Sequence, residues 1–143
     1  MLEGVCPAMI DDYSLSKPLK LPCGVKVPNR IVKAAMTEGL SDGTNKANDR
    51  MVNLYRVWGE GGAGMLITGN VHVDRWHLER GGNLAIEGEQ TNADLAKLSD
   101  MAAAGKAHGS LMVMQLNHCG RQTQKAVNKR PFAPSDVGLK MGN

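Results

Sequence analysis

The stretch WGEGGAGMLITGN, residues 58–70, decides how the chain is read. Gly59, Gly61 and Gly64 stand at the G-x-G-x-x-G spacing of a dinucleotide-binding loop. That loop works because it follows a strand and opens a helix, so that a pyrophosphate rests on the positive end of the helix dipole. Here the order is reversed. Upstream, Met51, Leu54, Tyr55 and Trp58 recur at i, i+3, i+4 and i+7, one face of a helix. Downstream, Met65, Leu66 and Ile67 form a compact apolar run, a buried strand ending near Asn70. A phosphate at these glycines would meet helix carbonyls. The spacing is therefore read as a helix stop made by Gly59, Gly61 and Gly62.

Outward from this helix-to-strand junction the pattern repeats. Residues 72–90 are polar and glycine-containing, a long loop. Thr91 followed by Asp94 marks the next helix start, with Leu95, Leu98 and Ala102 on its inward face and Gly109 at its end. The run from Leu111 to Leu116 is a further buried strand, and the chain becomes loop-like after His118. Towards the N-terminus, residues 30–36 read as a strand with small residues, Ala34 and Ala35, at its tip. Before it, Leu19, Leu21, Val25 and Val27 alternate around Pro22, Cys23 and Gly24, a hairpin turning at Pro and Gly. Residues 1–17 carry no periodicity and read as an irregular arm. Apolar strands without polar alternation, separated by helices, point to a parallel sheet covered by helices.

Composition narrows the function classes. The 143 residues suit one domain, and 42% hydrophobic with 22% charged residues is ordinary for a globular chain. A formal net charge of +3 with five aromatic residues is too little for nucleic-acid binding. No apolar run approaches the roughly 20 residues that span a bilayer, and the N-terminus lacks the pattern of a secretory signal. Three cysteines, with no C-x-x-C pair, argue against a disulfide framework and for a cytoplasmic location. His72 and His77 lack nearby partners in sequence, so no metal site is expected.

In parallel α/β folds ligands gather at the carboxyl ends of strands. This directs attention to Ala34, Ala35, Met36 and Thr37, to Gly69 and Asn70, and to Gln115 through Arg121. These tips combine small residues with neutral hydrogen-bonding groups. The Gln115 amide both donates and accepts, as reading an imide edge requires. His118 and Arg121 offer cationic or proton-transfer groups.

Three segments then resemble one family. VPNRIVKAAMTEG is similar to the N-R-I-V-M-A-P-M-T/C segment of the old yellow enzyme group of NADH:flavin oxidoreductases, which includes relatives of 2,4-dienoyl-CoA reductase. GGAGMLITGNVHVD is similar to its G-x-G-L-I-I-T-E segment, and QLNHCGRQ to its Q-L-x-H-x-G-R. The three motifs occur in order within residues 19–122. The chain departs from the family pattern at Lys33, where Met is common, at Ala35, where Pro is common, and at Gly69, where many members have Glu.

The resemblance implies a (β/α)8 TIM barrel with FMN at the strand C-terminal mouth. This chain would supply the first three βα units, preceded by the hairpin, within residues 18–143. A complete barrel takes roughly 200 to 400 residues, so the chain is expected to be an amino-terminal part. By the same resemblance Ala34, Ala35 and Met36 lie along the flavin and Thr37 bonds its O4 and tunes its potential. Gly69 or Asn70 makes the contact from the second strand, the register being open by one residue. Gln115 reads the pyrimidine edge. NAD(P)H would be the reductant and an activated alkene the small-molecule substrate. The family's substrate-binding pair and phosphate loops would lie further along, and the chain alone is expected to be inactive and to hold FMN weakly. The alternative is a non-catalytic barrel fragment acting through assembly with a partner chain, or as a homo-oligomer, by its exposed sheet edges.

Overall fold

The computed structural model describes residues 14–139. Most of the irregular arm expected over residues 1–17 lies outside this range. Its described end, Ser14 to Lys17, is a turn, and Leu15 accepts a hydrogen bond from the Arg30 backbone N–H.

The hairpin forms as its alternation suggests. β1 (Leu19–Lys20) pairs antiparallel with β2 (Lys26–Val27). Leu21 and Val25 close the turn, and Gly24 takes the left-handed conformation that a side chain would resist. β3 (Val32–Lys33) is much shorter than the expected strand over residues 30–36. It lies parallel to β4 (Met65–His72), which lies parallel in turn to β6 (Leu111–Asn117). Between these strands run α1 (Asp49–Glu60) and α2 (Asn92–Lys106). The sequence of hairpin, strand, helix, strand, helix, strand is therefore observed, with β4 in the middle of a parallel sheet.

Local chemistry sets the helix ends. Asn48 caps α1 by accepting from the N–H groups of Arg50 and Met51. Thr91 and Asp94 form a full capping box at α2, Asp94 serving where Glu or Gln is usual. Met51 and Tyr55 of α1, Met101 of α2, and Leu66 and Val71 of β4 make the buried core between helices and sheet.

Four details correct the reading of the sequence. Gly59 does not stop α1 but lies inside it, buried. A Cβ there would approach the Gly105 carbonyl oxygen at 2.9 Å, so Gly59 is the point at which α1 and α2 touch backbone to backbone. Gly61, the C-cap, and Gly62 with φ +77° end the helix. On α2 the inward face is Leu98, Met101 and Ala102, whereas Leu95 is 52% exposed. The loop over residues 72–90, expected as loop throughout, contains ordered elements. It holds a 3-10 turn (Arg75–His77) and β5 (Leu84–Ala85), which pairs parallel with the C-terminal end of β4 and buries Leu78, Asn83 and Leu84. Finally, the strands are not covered on both faces. Val32 of β3 and Val113 of β6 are exposed, the latter at 39%, because both helices pack on one side of the sheet.

Candidate functional site

The carboxyl tips of β3, β4 and β6 point the same way because the three strands are parallel. A register shift shapes their meeting. Ile67 stands opposite Val113, but Asn70 stands opposite Gln115, so Thr68 and Gly69 on β4 face the single residue Met114 on β6. This bulge advances Asn70 by one position. Thr68 replaces the interrupted ladder. Its hydroxyl accepts from the Gln115 backbone N–H at 2.9 Å and donates to the Gly69 carbonyl at 2.8 Å.

The bulge joins three of the expected residues in one chain of hydrogen bonds. Gln115 Nε2 donates to Asn70 Oδ1 at 3.0 Å, and Asn70 Nδ2 donates to the Thr37 hydroxyl at 3.4 Å. Thr37 donates onward to Glu79 Oε2 at 3.3 Å. Arg80 holds both Glu79 oxygens, which keeps that carboxyl below its usual range and compensates its charge. Ala34, Ala35 and Met36 line the exposed approach to Thr37, Met36 being 51% exposed. Of the two residues left open by the register, Asn70 presents its side chain to this network. Gly69 is buried, and a Cβ on it would run into the Met36 carbonyl and the Glu38 carboxylate.

Glu38 is the residue that reading the sequence missed. Its Oε1 accepts the Gly69 N–H at 2.8 Å and also the Tyr55 hydroxyl. One carboxylate thus ties the tip after β3 to the bulge of β4 and to α1. Burial, with the Glu38 hydrogen bond, pushes the Tyr55 phenol well above its ordinary value. The only signal was a charge following Thr37 before a glycine, which loops commonly show. Lys33 is likewise turned to the helix side. Its ammonium donates to the Ile67 carbonyl at 2.7 Å and lies 4.0 Å from the Trp58 ring centroid. Burial lowers its pKa, partly offset by Glu38.

His118 does not join the network. Its ring stacks on His77 at 4.4 Å, and with Asp74 these residues bring three ligand-type atoms within 4.8 Å of one another. Their protons are assigned by the opposite ring nitrogens. His77 Nε2 accepts the Phe132 N–H at 2.8 Å, so His77 Nδ1 is the N–H that Asp74 receives at 2.6 Å. His118 Nδ1 accepts the Gly120 N–H at 3.1 Å, which leaves the proton on Nε2, towards Asp74. The group is a clasp in which Asp74 accepts a hydrogen bond from His77, and His118, 3.9 Å from Asp74, is held by stacking on His77. It fastens the loop after β6 to the loop after β4.

His72, at the end of β4, is fully buried. Its Nε2 accepts from Asn83 Nδ2 at 2.9 Å and from the Glu79 N–H at 3.2 Å, and among the described residues its Nδ1 has no partner. Burial lowers its pKa from 6.5, against the raising effects of Glu79 and Asp74. The unfolded chain therefore takes this proton first. The neutral ring's contribution is complete above pH 6.5 and is lost as pH falls below it towards the folded value. Urea unfolding is expected to show stability falling between pH 6.5 and pH 5.5 by up to about 1.4 kcal/mol per unit, and His72→Gln should flatten that slope. Equal wild-type stability at the two pH values would refute this.

A parallel sheet with helices on one face, and polar groups converging at its carboxyl edge, is the opening part of a barrel of the type that binds ligands at that mouth. The chain belongs to the NADH:flavin oxidoreductase / NADH oxidase family, whose family model matches residues 14–142. It is 38% identical over 138 residues to the NADH-dependent flavin oxidoreductase iliE of Neonectria sp., covering 92% of this chain and 18% of that protein. The protein of the same name from Hypocrea jecorina is 37% identical, covering 90% of this chain and 33% of that one. The chain thus spans a third or less of the length of these relatives. Among solved structures, morphinone reductase superposes with a TM-score of 0.72 at 24% identity, over 87% of this chain and 32% of its own. The old yellow enzyme from Trypanosoma cruzi gives 0.72 at 22% identity, over 88% and 36%. These structures are old yellow enzyme barrels, and this chain folds as part of one. Among the described residues no helix is long and apolar enough to cross a membrane.

Proposed function

We propose that the chain forms the first part of an FMN-dependent NAD(P)H oxidoreductase of the ene-reductase type. The observation that carries this reading is the line of neutral hydrogen-bonding groups, Gln115, Asn70 and Thr37, across three parallel strand tips. The residues present fit a flavin. Small Ala34 and Ala35 leave room for a flat ring, and the Gln115 amide offers a donor and an acceptor for an imide edge. When bound, FMN would take reducing equivalents from NAD(P)H and deliver them to an activated alkene.

The protein's own part is orientation and electrostatics. Thr37 would turn its hydroxyl from Glu79 to the flavin O4, where a donor favours the electron-rich reduced ring. Glu79 alone would oppose that charge, and its pairing with Arg80 limits the opposition. The two free cysteines among the described residues, Cys23 and Cys119, suit a cytoplasmic enzyme.

The test joins this chain to the remaining barrel of the Hypocrea jecorina relative and measures flavin binding and potential. The chain alone is expected to hold FMN weakly, and the joined barrel to hold it stoichiometrically. Gln115→Leu should then cost about 1–3 kcal/mol of FMN affinity, by leaving the imide edge unpaired. Wild-type affinity in that variant would remove Gln115 from the site. Thr37→Ala should lower the flavin potential and slow reduction by NAD(P)H about tenfold, the worth of one hydrogen bond. An unchanged potential would remove Thr37.

A second reading rests on the uncovered inner face of the sheet, where Val32 and Val113 are exposed. There the chain acts only by assembly with a partner chain or another copy of itself. Stoichiometric flavin binding by the joined barrel, together with a monomeric chain in sedimentation, would count against it.

A further inference from the structure

The loop after β6 encloses a concavity of about 580 Å³ lined by Arg121, Lys129, Arg130, Phe132, Ser135 and Asp136. A second hollow of about 420 Å³ shares Arg121 and Lys129 and adds Lys125. None of these four cationic side chains has an ion pair or hydrogen bond among the described residues. Elsewhere Arg56, Arg75, Arg80, Lys46 and Lys97 all face carboxylates. With Asp136 as the sole acid, residues 119–139 carry a net +3, equal to the formal charge of the whole chain.

The concavity also has a fixed aromatic wall. The Phe132 backbone N–H is held by the buried His77, and the Phe132 ring stacks on the His77 ring at 5.2 Å. The Phe132 side chain is nevertheless 77% exposed, so one face of an anchored ring stays open beside unpaired cations. A flat apolar face next to guanidinium and ammonium groups matches a base and its phosphates. Stacking on aromatic side chains holds nucleobases, and Arg binds phosphate through paired N–H donors.

We propose that this concavity binds the phosphorylated adenosine end of a nucleotide, with the base on Phe132 and the phosphates on Arg121, Lys129 and Arg130. Two sources share that chemistry: an adenine dinucleotide that donates reducing equivalents, and a coenzyme A thioester substrate. The choice of these sources rests on the oxidoreductase reading above, whereas the subsite itself does not require flavin.

The test titrates the 143-residue chain with ADP by calorimetry. ADP should bind more tightly than adenosine or inorganic pyrophosphate, and the affinity should fall as salt is raised. The double variant Arg121→Ala with Arg130→Ala should weaken ADP at least about tenfold, and Phe132→Leu about tenfold. All three side chains are exposed, and unchanged circular-dichroism melting would confirm that the variants fold. ADP no tighter than adenosine, or ADP affinity unchanged in both variants, overturns the proposal. ADP-ribose and coenzyme A, titrated in parallel, distinguish the sources, and binding of either that is lost in both variants supports the subsite. FMN titrated into the same joined barrel separates the two readings. Lost flavin binding with retained ADP binding strikes the flavin assignment alone, and the converse strikes this subsite alone.

Discussion

Gly69→Ala is expected to destabilise the fold by about 3 kcal/mol, at the upper end for forcing extra volume into a packed site. The added Cβ would meet the Met36 carbonyl and the Glu38 carboxylate at less than van der Waals distance. Relief would require the segment carrying Met36 and Thr37 to move away from β4. One neighbour is backbone, so a rotamer change cannot resolve the clash. The same motion would separate Thr37 from Asn70 and open the network at the strand tips. Urea unfolding of the variant measures the loss. For comparison, Gly43→Ala places a Cβ where nothing lies within 4 Å and should change stability little. Similar midpoints for the two variants would show that the close approach at Gly69 is not limiting.

Glu38→Ala should cost about as much, by a different mechanism. It leaves the Tyr55 hydroxyl and the Gly69 N–H without their acceptor in a buried place. Each buried group left unsatisfied costs about 1–3 kcal/mol, so a total near 3 kcal/mol is expected. Glu38→Gln keeps an acceptor for Gly69 and a polar partner for Tyr55, and should recover more than half of the loss. Pairing with Glu38 also contributes to the high pKa of Tyr55. Spectrophotometric titration should therefore show Tyr55 ionising more readily in Glu38→Ala than in the wild type, provided the chain remains folded. A Glu38→Ala protein as stable as the wild type would mean that water replaces the carboxylate and that Glu38 does not tie the strand tips together.

The elements were legible because their signals are local. The period of Met51, Tyr55 and Trp58 marked α1, and the apolar runs at Met65 and Leu111 marked β4 and β6. Reversed order around the glycines was enough to reject a phosphate loop. The misread details all depended on neighbours distant in sequence. Gly59 reads as a stop because nothing nearby in sequence reveals that Gly105 presses against it. The loop over residues 72–90 reads as loop throughout because the pairing of Leu84 with Val71 is not written in its composition. The Asp74, His77 and His118 clasp was hidden because His118 lies 41 positions from His77 and reaches it only when β6 pairs beside β4.

The amino-acid sequence by itself determined the order of helices and strands, the parallel sheet and the three strand tips at which polar groups would gather. Each of these follows from side-chain periodicity and from where glycine interrupts it. The tertiary structure alone decided that Asn70, not Gly69, meets Gln115. It also decided that a carboxylate from beyond β3 fills the space beside Gly69. Both outcomes depend on one extra residue bulged from β4, and a bulge is a property of two paired strands that neither segment carries alone.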